Sequence, residues 1–501
     1  MQTNTSSGTS EEEANLTSMR REQWARRHRW HQRYRDEHNR DPAWIKHSKH
    51  ILIASWAGRP IYTRYGDESK LAAYMGVITA LISNFQRLGD SLREVRAGEW
   101  KFVFLCKGPI YLIAISRTSE STALLLHQLH YAHLQILSVL TQSASLILES
   151  KPSADIRHLL GGTEPLLGDI LSAADTSPYF LLDSIPVLRC KKDVRSAVGS
   201  ALRRSGAKNL IFGIVMATPP PPSSKSSGGG AGGQQLIHIV RGKDRILHPS
   251  DCLLLMYFLS NASRLRTSNE SFTPICLPHF SSKGFLYAYI AFLNEEVCLA
   301  LLTADANDFA NLRIAKDKIV EGLNKRHTLT DLSTHILSNG HVIHFDELAA
   351  DVPASQLAEW RASMGEVRHF LYRSDSHAQA IQCVPLAPYA TKHERKWLWR
   401  RYQHVLARIG AASAEFATGN EGKNASSSSS SSTTSTSVAV QKKHQLYYDM
   451  SDFANILCVY RPGDYVLVIT FTLSMTDKAL ISAAAQRILK WIQKESATLF
   501  I

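Results

Sequence analysis

From Lys49 onward the chain alternates between short apolar runs and longer stretches in which apolar residues recur every three or four positions. Ile51–Trp56 and Pro60–Tyr65 are β-rich runs separated by Gly58-Arg59, the pattern of a β-hairpin. Leu71, Tyr74, Ile78, Leu81, Ile82, Phe85 and Leu88 then recur at helical spacing and predict an amphipathic helix. Strands are predicted at Ser91–Arg96, Lys101–Cys106 and Ile110–Ile115, the last two joined by a Lys107-Gly108-Pro109 turn. A long helix from about Ser121 to Leu148, with helical pieces up to about Asp175, closes the unit.

The same order of elements then returns twice. Asn209–Ala217 and Leu236–Val240 form a hairpin, Pro249–Ser263 a helix, and Phe272–Pro278, Gly284–Phe292 and Val297–Thr303 three strands before a helix at about Asn307–Leu323. The third copy runs through strands Glu366–Ser374 and Ala378–Val384 and a helix at Lys392–Ile409. Strands Leu446–Met450, Ile456–Tyr460 and Tyr465–Leu473 and a helix from Asp477 to Lys494 complete it. No residue-level identity links the copies; the repeat is one of element order. The expected fold class is α/β (α+β), with each unit a five-stranded antiparallel sheet flanked by helices. We expect these helices on one face, with sheet edges left for pairing with partners.

Two low-complexity stretches interrupt the pattern: Pro219–Gly233, a proline run passing into Ser and Gly, and Ala411–Val440, with unbroken serine from Ser426 to Ser432. Both read as disordered insertions within a module, because loop-closure entropy grows slowly with length. The expected organisation is therefore a flexible basic segment at 1–48, a first module at 49–180, a basic linker at 181–207 and a second module at 208–328 with insertion 218–234. A linker at 329–364 and a third module at 365–501 with insertion 411–443 follow.

Composition narrows the function. An apolar content of 44% and a charged content of 20% are ordinary globular values. No run approaches the ~18 apolar residues of a membrane span, and the Ser/Thr/Glu-rich stretch Met1–Leu16 lacks the core of a secretory signal. Cys106, Cys190, Cys252, Cys276, Cys298, Cys383 and Cys458 lie apart in apolar settings, which reads as reduced core thiols in a cytosolic protein. The net charge of +13 concentrates in two places: Arg20–Lys46, where nine Lys/Arg interleave with Trp24, Trp30, Tyr34 and Trp44, and Arg189–Lys208. Such clusters suit an anionic surface, or else a solvated basic helix or linker.

The sequence carries few motifs of covalent chemistry. There is no phosphate loop, no G-x-S-x-G nucleophile elbow and no H-E-x-x-H. His127, His130 and His133 share a helix without further ligands at metal spacing, so a structural or surface role is expected of them. Glu295-Glu296 fits a solvated hairpin turn, and the aromatic residues of the N-terminal basic segment fall outside any nucleic-acid-binding module.

Several stretches resemble one family. The hairpin segment His50–Gly66, Phe102–Thr118 (FVFLCKGPIYLIAISRT), His248–Leu293, His369–Gln379 (HFLYRSDSHAQ) and Leu489–Ile501 (LKWIQKESATLFI) are similar to the SAND, or monensin-sensitivity vacuolar-fusion, proteins. The resemblance covers nearly everything from Lys49 to Ile501 and implies three longin domains. It further implies a heterodimer with a related longin-domain subunit, acting as guanine-nucleotide exchange factor for the Rab GTPase of late endosomes and vacuoles. That role needs no cofactor, metal or nucleic acid and makes no covalent bond. The resemblance places the protein in the cytoplasm, peripherally on late-endosome, multivesicular-body and vacuole membranes. It points to the first module for the GTPase and partner, with Trp56, Arg59, Tyr62 and Arg64 as contacts. Arg189, Lys191, Lys192, Arg195, Arg203 and Arg204 are the basic residues expected to meet an anionic phosphoinositide surface. Family members often carry a long disordered region ahead of the first longin domain, whereas about 48 residues precede it in this sequence. The competing expectations are a longin-type tether or adaptor without exchange activity, and a nucleic-acid binder using Arg20–Lys46.

Overall fold

Two neighbouring strands, Lys49–Ser55 (β1) and Ile110–Ser116 (β5), are buried at every residue. A strand covered on both faces has no exposed side to keep polar, and so reads as an unbroken apolar run. Successive side chains point to opposite faces. Ile51, Ile53, Leu112 and Ala114 go to one core, and Leu52, Ala54, Ile113 and Ile115 to another. The computed structural model describes residue 37 and residues 41–161, 163–218, 234–242, 245–261, 270–350, 352–409, 445–450 and 454–501.

The first module continues with Pro42–Lys46 (α1), Pro60–Thr63 (β2), Ala72–Arg87 (α2), Glu94–Ala97 (β3) and Trp100–Lys107 (β4). After β5 come Thr122–Leu140 (α3), Ser143–Ser150 (α4), Arg157–Leu160 (α5), Glu164–Thr176 (α6) and Pro178–Leu181 (α7). The antiparallel sheet has the order β2-β1-β5-β4-β3. Met75, Ile78 and Ile82 pack α2 on one face; Leu125, Leu129, Ala132 and Ile136 pack α3 on the other, backed by α4, α5 and α6. The expectation of helices on one face is thus corrected: both faces are covered. The helix expected to run to Leu148 also breaks at Thr141, where φ is +58°, before α4 resumes.

After Ile185–Pro186 (β6), which joins the third module's sheet, the second module contains Lys192–Arg204 (α8), Phe212–Ala217 (β7), Gln235–Arg241 (β8), Pro249–Asn261 (α9), Glu270–Leu277 (β9), Ser281–Phe292 (β10), Val297–Thr303 (β11), Phe309–Asn324 (α10) and Thr328–Leu337 (α11). Its sheet order is β8-β7-β11-β10-β9. The third contains Leu357–Met364 (α12), Val367–Ser374 (β12), Gln379–Gln382 (β13), Lys392–Arg408 (α13), Gln445–Met450 (β14), Asn455–Arg461 (β15), Tyr465–Phe471 (β16), Lys478–Lys494 (α14) and Ser496–Leu499 (α15). Its order is β14-β15-β16-β12-β13-β6. In each module the hairpin's first strand lies beside the last strand of the unit at the centre of the sheet.

The stretches read as linkers are built into the modules. Segment 181–207 holds β6, which pairs in parallel with β13, and α8, whose Val198, Ala201 and Leu202 enter the second core. Val187 bridges to Leu236, and the Leu188 N–H donates to the Leu236 carbonyl at 2.9 Å, so the same segment joins the second and third sheets. Segment 329–364 likewise forms most of α11, packed through Leu329, Leu332 and Ile336, and α12. The apolar positions of both helices do follow a helical period, Val194, Ala197, Val198, Ala201 and Leu202 in α8 and Leu329, Leu332 and Ile336 in α11, so the spacing already marked them as packed helices despite the basic charge around α8.

Trp44 corrects the reading of 1–48 as lying ahead of the core. It is 6% exposed, stacks on His50 at 3.8 Å and donates from Nε1 to the Tyr65 carbonyl at 3.3 Å. Trp24, Trp30 and Tyr34, and the insertions at 219–233 and 410–444, lie outside the described residues.

The modules pack directly on one another. Tyr131 and Leu134 of α3, Ile170 and Ala174 of α6 and Phe180 meet Leu253 and Leu254 of α9. Leu124, Tyr179 and Leu182 meet Leu398 and Tyr402 of α13.

Candidate partner-binding site

The β1–β2 turn is closed by the Ser55 N–H donating to the Arg59 carbonyl at 2.8 Å, and Gly58 within it takes φ +78°, a conformation most side chains resist. A Cβ at Gly58 would lie 3.0 Å from Thr79 Oγ1 and 3.4 Å from the Gly76 Cα, so the turn rests directly on α2. Trp56, 41% exposed, and Arg59 stand outward from this turn.

The outer face of α2 continues that surface and is apolar. Val77 is 71% exposed, Leu81 42% and Leu88 75%, with Ala73, Gly76 and Ala80 exposed among them. The helical pattern assigned Leu81 and Leu88 to the core; instead the inward positions are Met75, Ile78 and Ile82. Val77 was the missed signal, an apolar residue off the inward stripe of a helix whose solvent face should be polar. The short strand β3, paired only with β4, forms an edge of the same sheet.

Tyr62 and Arg64 are not on this surface. Tyr62 is 1% exposed within the first core, where burial pushes its phenol well up. Arg64 donates from Nη2 to Asp175 Oδ2 at 3.0 Å. Asp175 also accepts from Lys49, whose Nζ reaches both Glu120 oxygens and Gln128 Oε1 at 2.9 Å. Burial opposes ionisation of Asp175 and Glu120. For Asp175 the cations Lys49 and Arg64 outweigh it, and for Glu120 Lys49 does, holding both carboxyls below their ordinary range. Burial likewise opposes charge on Arg64, and Asp175 more than restores it. Two buried cations matched by two carboxylates stiffen the base of the hairpin from inside.

The basic set of the second module divides similarly. Arg195 is 5% exposed and donates to the carbonyls of Leu188 at 2.7 Å, Thr498 at 2.9 Å, Ala497 at 3.2 Å and Phe500. It is a buried staple between α8 and the final helix and cannot meet a membrane. Arg189 is half-buried, paired with Glu347 and lying over the Trp491 ring at 5.8 Å. Lys191 and Lys192 are exposed at the start of α8, and Arg203 and Arg204 at its end. At ~1.5 Å per residue a helix of this length sets those pairs roughly 17 Å apart. Among the described residues no three His, Cys, Asp or Glu side chains converge as a metal site, and no helix is long and apolar enough to cross a membrane.

Three sheets of one strand order, each between helices and carrying an exposed apolar helix on the first, define a protein of three longin domains. Models of the first, second and third longin domains of FUZ, MON1 and HPS1 match residues 49–170, 231–321 and 366–496. The chain is 31% identical over 461 residues to vacuolar fusion protein MON1 homolog A of Gallus gallus, covering 91% of this chain and 73% of that protein. Protein SAND of Takifugu rubripes is 30% identical over 474 residues, covering 94% and 79%. A MON1 homolog of Oryza sativa subsp. japonica is 34% identical over 342 residues, covering 68% and 57%. The chain belongs to the MON1/SAND family.

Proposed function

We propose that this chain acts in vacuolar fusion and endosome-to-vacuole trafficking as one subunit of a heterodimeric guanine-nucleotide exchange factor for the late-endosomal and vacuolar Rab GTPase. The observation that carries this reading is the continuous surface of the first module formed by Trp56, Arg59 and the outer face of α2, set on a sheet stiffened by the Lys49–Asp175–Arg64 network. An apolar helix face this exposed fits burial by another protein. In the proposed arrangement a related longin subunit covers α2, and the GTPase lies across the joint surface that includes Trp56 and Arg59.

Exchange requires only differential binding. A surface that fits the nucleotide-free GTPase better than the loaded form lowers the barrier to nucleotide loss, and no covalent bond changes. The exposed Lys191, Lys192, Arg203 and Arg204 favour anionic phosphoinositide membranes, at about 1 kcal/mol for each basic residue near the surface. In this reading the protein would work in the cytoplasm, held peripherally on late endosomes and vacuoles.

Release of labelled GDP from the purified Rab tests the reading, with this chain alone, with the partner, and with variants of each. Acceleration is expected from the pair and not from either chain alone. Val77→Asp with Leu81→Asp should prevent pairing, and Trp56→Ala with Arg59→Ala should slow exchange by about 10- to 100-fold through lost contact energy. A pair that assembles but leaves GDP release unchanged would instead support a tether or adaptor.

A further inference from the structure

Five histidines gather where the first module meets the second. His127, His130 and His133 come from α3, His248 lies just ahead of α9, and His279 sits in the turn between β9 and β10. The rings of His130 and His279 are 6.1 Å apart across the join, and His279 stacks on His248 at 4.0 Å and 24°. Lys107, at the end of β4, adds a cation beside His130 and His133.

The acidic groups at the join are few and engaged. Asp183 accepts from the Tyr131 hydroxyl at 2.7 Å and lies 3.3 Å from His127 Nε2, which itself faces the Phe180 carbonyl at 2.7 Å. Asp251 accepts from the backbone N–H groups of His279 at 3.2 Å and Phe280 at 2.9 Å, so it fixes the turn carrying His279 onto the start of α9. A backbone hydrogen bond also crosses the join, from the Gln142 N–H to the Ser282 carbonyl at 2.8 Å.

We infer that this join is a pH-sensitive contact, which holds while His130, His133 and His279 are neutral and weakens when acid places positive charge on both of its faces. Protonation would add charge to His130 and His133 beside Lys107 on the first module, and to His279 beside His248 on the second. Of the acids at the join, Asp183 favours charge on His279, while burial pushes Asp251, bonded to the His279 turn, up to about 6. Burial, followed by the neighbouring histidines and Lys107, holds His130 down to about 3. Burial and Lys107 hold His133 at about 4; partial burial of the largely exposed His279 ring, with His248 beside it, lowers His279 as well, against the pull of Asp183. An opened join would return these groups toward the ordinary value near 6.5. At His130, His133 and His279 the closed form therefore binds fewer protons between about 6.5 and about 3 to 4, offset in part by the one proton that Asp251 takes up below about 6. Its stabilisation is complete above that window and declines as the pH falls through it. The inference concerns the packing of the chain itself and does not depend on the proposed exchange activity.

Hydrogen exchange of the full-length chain tests it, read at the peptide containing Gln142 and corrected for the intrinsic pH dependence of exchange. Between about pH 7.5 and about pH 5.5, protection at Gln142 is expected to fall about tenfold more than protection in β1. His279→Gln, in an exposed turn, should reduce that difference, and His130→Gln with His279→Gln should reduce it further. His279→Lys, a permanent charge facing His130, should lower protection at Gln142 already at neutral pH. Protection at Gln142 that follows β1 in the natural chain, or that is unchanged by His279→Gln and His279→Lys, would overturn the inference. If the double variant does not fold, the two single variants still decide it.

Discussion

Arg195 shows how far one residue's role can depart from its charge. The sequence sets it in a basic run suited to a membrane, yet the structure closes four backbone carbonyls around it, three of them from the final helical turn. Arg195→Ala should cost about 3 kcal/mol, since several charge-assisted bonds vanish and their carbonyls stay buried; a urea melt measures this. Arg203→Glu with Arg204→Glu should leave that melt unchanged and reduce flotation with anionic liposomes. Asp175 is a second such residue. Asp175→Ala leaves Lys49 and Arg64 buried against Glu120 alone, an expected loss of about 3–5 kcal/mol. Because Asp175 and Glu120 are held below their ordinary values, their contribution is full above roughly pH 4 to 5 and is lost as the pH falls through their folded values. Acid melts should therefore be less steep in Asp175→Asn than in the natural chain.

At the scale of elements, α1 and α2 make opposite predictions. Trp44 anchors a helix of five residues that could not stand alone. Trp44→Ala removes a buried indole from the first core, with an expected cost of about 3–5 kcal/mol and a lowered melting midpoint. The outer residues of α2 carry no such load: Val77→Asp with Leu81→Asp should change stability by at most about 0.5 kcal/mol each while abolishing association with the partner. A fall in stability as large as that of Trp44→Ala would mean that α2 is packed against its own chain.

For the whole molecule, the connecting segments are the decisive parts. β6 comes from the stretch between the first two modules but completes the sheet of the third, and Val187 and Leu188 then hold the second. The third module is expected to be unstable when expressed from residue 365 alone, because the edge of β13 and the packing of α12 would be lost; limited proteolysis of that fragment is the check.

Sequence alone determined the three-module plan and most strands and helices, because hydrophobic period is a local property: β1, β5 and α14 are readable from spacing without knowing what they touch. The first hairpin, with Trp56 and Arg59, entered as a binding surface only through the resemblance to the family and not through any local pattern. Tertiary structure decided which face each apolar residue takes. Leu81 and Leu88 carry the same period as Ile78 and Ile82, and only the position of the sheet separates exposed from buried. It also turned Tyr62 into the first core and Arg64 and Arg195 inward, since the carboxylates and carbonyls that compensate the two buried cations come from residues remote in sequence, as Asp175 and Thr498 do. Burial of a polar group is decided by those distant partners, and no local pattern encodes them.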